Sequence, residues 1–500
     1  MKKIFTLLLV AMTAVVARAT DYIVPVTVVV NDVTSEQLGE FSIVENDGLY
    51  DVSLKNFILD SENGPMGVGN VELKGIQPYQ DGKATLFVTE KEVTITDGDD
   101  PNVVYWMAGM LPPVNVLLRG KIEDEHLYMN LYIDLMETMD QIIQVTVGEG
   151  YQMPNPGFEL WHPSDETHVE PDGWHSFETA TGALAAFGGH HLTKSKNAHT
   201  GESCARIYSS SILGIVANGT MTTGRLNADA MIATDPANNA YLDTSMPELD
   251  GAGKPFYIPL YSRPDSIAVW VRFRQGSVNP DHPYANISAV ITDGTYYQDP
   301  EDKVYTNVVA KAKNDKIATT DGEWVRVTAP FVYTENDVEP QAILVTISTN
   351  ADAGQGSDGD EVLVDDIELI YNAKVTGLKI KGQDVPGFSP DVFEYEMELE
   401  QGVTTEDIEV VVEGQSTHVI KDVSFIDSNV CTVMALGGDM KHMSTYVIRE
   451  KGSGTGIRSI KTPAGQSAYY TLDGRQAKTL APGRIYIRRQ ADGTVTKVRL

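Results

Sequence analysis

Two carboxylates stand where a carboxylate is costly. In "NPGFELW" (155–161), Glu159 lies between Phe158 and Leu160, two large apolar residues at strand spacing. In "VLVDDIELIY" (362–371), strand alternation puts Leu363, Asp365, Ile367, Leu369 and Tyr371 on one face. Asp366 falls on the other face. A buried carboxylate takes up a proton or finds a partner. One cation shared by the early and the late acid would serve, and Ca²⁺ suits it, because Ca²⁺ takes six to eight oxygens at ~2.3–2.6 Å and accepts backbone carbonyls. The expected metal ligands are therefore Glu159 and Asp365, with Asp366 as an additional one. A salt bridge to each acid, or a solvated strand end, is the plain alternative.

A second group is aromatic. Trp161, Trp174, His175 and Phe177 lie within 17 residues of one another, and flat rings stack on the apolar faces of sugars while carboxylates and amides bond the hydroxyls. The competing reading places Trp161 and Trp174 in a core. Trp324, in the alternating "EWVRVTAPFVY", and Trp106 both read as packing residues. Soft-metal spacing is missing from the pattern: His190-His191 is an adjacent pair, and no H-E-x-x-H occurs. There is no G-x-S-x-G elbow, phosphate loop or Rossmann fingerprint. Glycoside hydrolysis needs two carboxyl groups ~5–9 Å apart, and the sequence nominates no such pair. Whether the chain is an enzyme therefore stays open, with a non-catalytic role preferred.

The elements that must position these residues are strands. "LYDVSLKNFIL" (49–59), "VGNVELKGI" (68–76), "VNVLLRGKI" (114–122) and "LYMNLYIDL" (127–135) alternate with period two. Turn residues separate them, and seven or eight strands in about 130 residues suit an antiparallel barrel or sandwich. "SIAVWVRFRQ" (266–275) sets Ile267, Val269, Val271 and Phe273 against Trp270, Arg272 and Arg274. Polar stretches such as 227–255 read as long surface loops. The fold class is all-β. The expected division is a leader over 1–19, a barrel over 20–149, a β-sandwich over 150–373, a small sandwich over 374–450, and a linker with a basic tail over 451–500.

Composition narrows the function. A chain of 500 residues exceeds one core. Its net charge of −32 excludes a nucleic-acid partner, which would need clustered Lys and Arg. From Gly456 to Leu500 nine Lys/Arg face two Asp/Glu, so the tail is a basic module on an acidic body. "MKKIFTLLLVAMTAVVARAT" has the charged, apolar, small-residue order of a secretory leader ending at Ala19. No later stretch is long and apolar enough to span a bilayer. Cys204 and Cys431 fall in different units and read as buried free thiols.

Four resemblances add to this reading. "LYDVSLKNFIL", "GVGNVELKGI" and "VNVLLRGKIEDEHLYMNLYIDL" resemble the calycin-like barrel domain of exported proteins from gut-type Gram-negative bacteria. "NPGFELW", "GIVANGTMTTGRL" and "LVDDIELIY" resemble the PCMD family, a proposed carbohydrate-metabolism domain with the outline of jelly-roll carbohydrate-binding modules. That resemblance implies a structural Ca²⁺ tying the terminal strands, with Glu159 at the early ligand position and Asp365 at the late one. Gly377-Leu378, Phe388-Ser389-Pro390 and Tyr395 resemble cadherin-like spacer modules, and the tail resembles C-terminal sorting segments. Together they imply a secreted or cell-surface carbohydrate-binding protein, attached to the envelope through its tail. The alternatives are a structural or adhesive surface protein and a glycoside hydrolase built on the central domain.

Overall fold

The computed structural model describes residues 18–31, 33–59, 66–135, 141–212, 215–400, 402–424 and 430–451, and the backbone of 468–470, 485–489 and 495–499. Residues 1–17 of the expected leader and all of the linker but Lys451 lie outside these residues. Among them there is no α-helix, and the chain is all-β.

The first nine strands are β1 (Arg18–Val30), β2 (Val33–Asn46), β3 (Leu49–Leu59), β4 (Met66–Ile76), β5 (Pro78–Asp81), β6 (Ala84–Val93), β7 (Val114–Glu123), β8 (His126–Asp134) and β9 (Ile142–Val147). They form one antiparallel sheet in the order β4-β3-β2-β1-β9-β8-β7-β6-β5. Tight turns set the register. Asp47 and Gly48 both take positive φ (51° and 79°) between β2 and β3, as a two-residue hairpin requires. Asp124 and Glu125 do the same between β7 and β8, at φ 45° and 71°. Alternation then puts Val114, Val116 and Leu118 of β7 inside with Val26, Phe41 and Leu73. The expected barrel is present as a half-barrel. Its ladder runs open from β4 to β5, and β4 curls over against β6.

The central unit is a β-sandwich. One sheet runs Leu192–Ser195, Cys204–Tyr208, Glu361–Ile370, Ser266–Arg274, Val325–Pro330. Its partner runs Thr220–Thr222, Ala342–Ser348, Ala285–Thr292, Val308–Ile317, Val332–Tyr333, with Ile258–Pro259 added beside Ala342–Ser348. Ile267, Val269, Val271 and Phe273 point into the core between them, as alternation predicts. The stretch 227–255 is not one loop. Its beginning and Asn238–Leu242 pair with each other and with Tyr297–Asp299 in a small sheet of their own. Their short polar sequences hide this, because the apolar residues they bury are only Leu226, Ala240, Leu242 and Tyr297.

A third unit packs the sheets Lys374–Ile380/Ile408–Glu413 and Glu394–Met397/Met443–Glu450/Val430–Gly437/Thr417–Ser424 around Val375, Tyr395, Val433 and Tyr446. Cys204 and Cys431 are both buried and free.

The third unit is clasped to the other two. Ala84, Leu86, Tyr128 and Tyr151 pack against Ile420, Leu436 and Met440. Beneath them lies the fully buried Lys121, which donates to Glu123 Oε2 (2.8 Å) and stands 4.0 Å over the Tyr151 ring. Asp439 is buried beside them. Its carboxylate accepts from Gln152 Nε2 (3.3 Å) and the Lys441 N–H (3.1 Å), and His442 Nδ1 lies 3.3 Å away.

Candidate functional site

The early acid and the late acids come to the two sides of Gly157, and a turn and a bulge bring them there. Residues 155–158 form a turn, not a strand. Asn155 (φ 44°) and Phe158 (φ 52°) are both left-handed, and Phe158 N–H donates to Asn155 O. The Asn155 side chain holds the turn by bonding both the N–H and the carbonyl of Leu160. Phe158 therefore enters the core alone, and Glu159 turns away from it. The turn docks on the late strand through a hydrogen bond from Ile367 N–H to Pro156 O (2.9 Å).

The late strand carries a β-bulge there. Its register against Ser266–Arg274 slips between Ala268 and Trp270, and Asp366 sits at φ 44°. The slip changes the phase of the strand. Val362 and Val364 face the core before it, and Ile367, Leu369 and Tyr371 after it. Continuous alternation, which put Leu363 and Asp365 on the face of Ile367, is corrected accordingly. The bulge also brings the two adjacent acids to one side. A Cβ built on Gly157 would stand 3.6 Å from Asp366 Oδ1, 3.9 Å from Asp365 Oδ1 and 3.9 Å from Glu159 Cγ.

The loop His199–Ser203 closes the cluster. Glu159 Oε1 accepts the N–H groups of Glu202 (2.9 Å) and Ser203 (3.1 Å). Asp365 Oδ2 accepts those of His199 (2.6 Å) and Thr200 (3.3 Å). Asp366 receives His199 Nδ1 (2.6 Å) on one oxygen and Thr200 Oγ1 (2.7 Å) on the other. Asp365 is fully buried, and burial, followed by the charge of Asp366, pushes it up to about 7. Among the described residues the ion-pair partner of these three acids is His199, on Asp366, and no Lys or Arg pairs with them. The three carboxylates are oxygen donors of the type a hard cation takes, but among the described residues the one group whose ligand atoms lie within 4.8 Å of one another is His168, Glu178 and His190, so these three are not drawn around one point. The backbone N–H groups compete for the same oxygens.

The aromatic platform expected from the sequence is not assembled. Trp174 and His175 are both fully buried, so neither offers a face to a ligand. Trp174 packs on Phe158, with centroids 5.5 Å apart. His175 directs Nδ1 to Gly224 O (2.7 Å) and Nε2 to buried Asp250 (3.3 Å). Trp161 is half-buried with its Nε1 donating to Phe158 O (2.6 Å), and Phe177 is half-buried against the small core of Leu226, Leu242 and Tyr297. The reason is local: Pro171-Asp172-Gly173 turns the chain inward, and the Trp174 N–H closes that turn on Pro171 O.

A different aromatic group lies on the outer face of the sheet, beside the acids. The His199 ring lies flat on Trp270 (3.9 Å, 16°) and edge-on to Trp324 (5.8 Å, 62°). Trp324, expected in the core, is only half-buried at this rim, because Val325 and Arg326 beside it also face solvent. Arg326, the register partner of Trp270 on the next strand, pairs with Glu368. Alternation did set Trp270 outward, but nothing in the sequence joined it to His199, 71 residues earlier.

Fold and site define a multi-sheet β-protein with an acid cluster at the seam of its central sandwich. No family model matches the chain. No curated protein matches it. Among solved structures it is similar to a "putative glycoside hydrolase" from Bacteroides thetaiotaomicron, at 15% identity and a TM-score of 0.32 over 52% of this chain and 87% of that one. A likeness of that size carries no argument about this chain's fold or activity. Among the described residues no helix is long and apolar enough to cross a membrane.

Proposed function

We propose that this chain is a glycan-binding protein that works outside the cytoplasm, and that the outer face of its central sandwich is the binding surface. The observation that carries the reading is the His199–Trp270–Trp324 cluster beside Asp366. Half-exposed rings flanked by a carboxylate and by the Arg326–Glu368 pair supply both the apolar face and the hydrogen-bonding groups that a sugar requires. Glu159, Asp365 and Asp366 are the residues that would hold a Ca²⁺ ion, which would neutralise the seam beneath this surface. His199 bonds Asp366 and stacks on Trp270, so the seam and the shelf share one residue. The leader-like start and the family resemblance support export, and the basic tail supports attachment to the envelope.

The test is retention of the full chain on a panel of polysaccharides, with Trp324→Ala beside it. Because Trp324 is half-exposed, the variant should fold. Its affinity should fall at least tenfold, about 1.4 kcal/mol. Retention unchanged in the variant, or no retention of the folded protein on any glycan, would remove the shelf from the argument and favour a spacer. Release of reducing sugar would make the same surface a substrate site.

A further inference from the structure

The sequence offered no histidine cluster for a soft metal. The structure makes one. His168, Glu178 and His190 bring one ligand atom each to within 4.8 Å of one another. The two imidazoles lie face to face, with centroids 3.4 Å apart and planes at 18°. Both Nδ1 atoms turn to the same carboxylate. His190 Nδ1 contacts Glu178 Oε1, and His168 Nδ1 is 3.9 Å from Oε2. Asp165 Oδ2 approaches His168 Nδ1 from the other side, at 2.7 Å, and Thr167 Oγ1 lies 2.8 Å from the same nitrogen.

Each donor sits on a separately anchored segment. The hairpin Trp161–Pro163/Val169–Pro171 carries His168 at its turn, where Asp165 Oδ1 accepts the N–H groups of Thr167 (2.6 Å) and His168 (2.7 Å). Glu178 lies in a single 3₁₀ turn, Phe177–Thr179. That turn is pinned by the fully buried Glu170, which accepts Ser176 N–H and Ser176 Oγ (both 2.6 Å) and Thr179 Oγ1 (3.1 Å). His190 is held by its neighbour His191, which is buried with Nδ1 on Tyr208 O (2.7 Å) and Nε2 on Gly188 O. Such anchoring of donors by a second layer of hydrogen bonds is what a metal site needs in order to be ready before the ion arrives.

We propose that His168, His190 and Glu178 bind a divalent transition-metal ion, with zinc the first expectation. Two imidazole nitrogens and one carboxylate oxygen are a zinc donor set that leaves a fourth position for water or for Asp165. Zn–N and Zn–O bonds of ~2.0–2.2 Å in a tetrahedron put donor atoms about 3.3 Å apart. The 3.9 Å separation of His168 Nδ1 and Glu178 Oε2 closes to that with a small side-chain rotation. Imidazole donors distinguish this site from the all-oxygen seam at Gly157, which suits calcium. The proposal does not rest on the glycan or the calcium reading.

The test uses the full chain, stripped with chelator, dialysed, and titrated with Zn²⁺ by calorimetry in the presence of calcium. One Zn²⁺ should bind per chain, and Co²⁺ at the same site should give visible absorption bands. The double variant His168→Ala/His190→Ala should bind Zn²⁺ roughly 100-fold more weakly and lose the Co²⁺ bands, while Asp365→Asn should bind as the parent does. His190 is half-exposed, so His190→Gln serves if the double variant does not fold, with Zn²⁺ affinity reduced roughly tenfold. No stoichiometric Zn²⁺ binding by the parent would overturn the proposal, as would undiminished binding by whichever folded variant is measured.

Discussion

Trp174→Ala should destabilise the central sandwich by about 3–5 kcal/mol, the range for emptying a buried aromatic site. The ring is fully buried, packs on Phe158, and belongs to the same core as Met221, Ile258 and Leu260. Its removal leaves a cavity that strands on both sides would have to collapse to fill. Four of the five tryptophans lie in the central unit, so intrinsic fluorescence during urea unfolding reports mainly that unit. Glycan retention by the protein that remains folded should be unchanged. A loss under about 1 kcal/mol with retention abolished would return Trp174 to the role of a platform.

Asp439→Ala should be nearly as severe, about 3–4 kcal/mol, because it removes a fully buried acid from a network that joins the central and third units. Burial by itself would raise Asp439. The hydrogen bond from His442 and the charges of His442 and Lys441 outweigh it and hold the carboxyl below the usual range. The same hydrogen bond, less the effect of burial, raises His442 above its ordinary value. The signs follow. A lowered acid contributes stability above its unfolded value, and that contribution is lost as pH falls through the folded value. A raised histidine contributes below about pH 6.5, and that contribution is lost as pH rises through its folded value. The difference between parent and Asp439→Ala should therefore be greatest near about pH 5–6 and shrink on acidification. Urea midpoints measured across pH check this, and a difference independent of pH would show that Asp439 acts by shape alone.

The legible parts of this chain are those governed by side-chain alternation. The strands of the half-barrel and the inward face of Ser266–Arg274 follow from period two, because one face of each is buried. Alternation fails where the backbone leaves the strand. Phe158 and Leu160 look like strand neighbours, but Asn155 and Phe158 take left-handed φ and make a turn. Asp365-Asp366 looks like an ordinary pair on opposite faces, but the bulge at Asp366 changes the phase of everything after it. Bulged positions carry no reliable residue signature when glycine is not used, so the approach of Glu159 and both acids to Gly157 was readable only as a guess about strand order. The histidines at 168 and 190 are 22 positions apart, and what unites them is a hairpin turn and a buried glutamate, neither of which has a spacing to recognise. Trp174 and His175 show the converse. Their types suit a sugar, but the turn at Gly173 (φ 78°) sends both inward.

The seam at Gly157 is tested most directly by melting the full chain after chelation, then again with calcium alone restored. A shared cation stabilises by mass action, by about 2.7 kcal/mol at a hundred times its dissociation constant. Calcium should therefore raise the midpoint of the fluorescence transition, and Asp365→Asn should remove that rise. Equal midpoints with and without calcium, or a rise that survives in Asp365→Asn, would mean that backbone N–H groups and His199 alone balance the three acids.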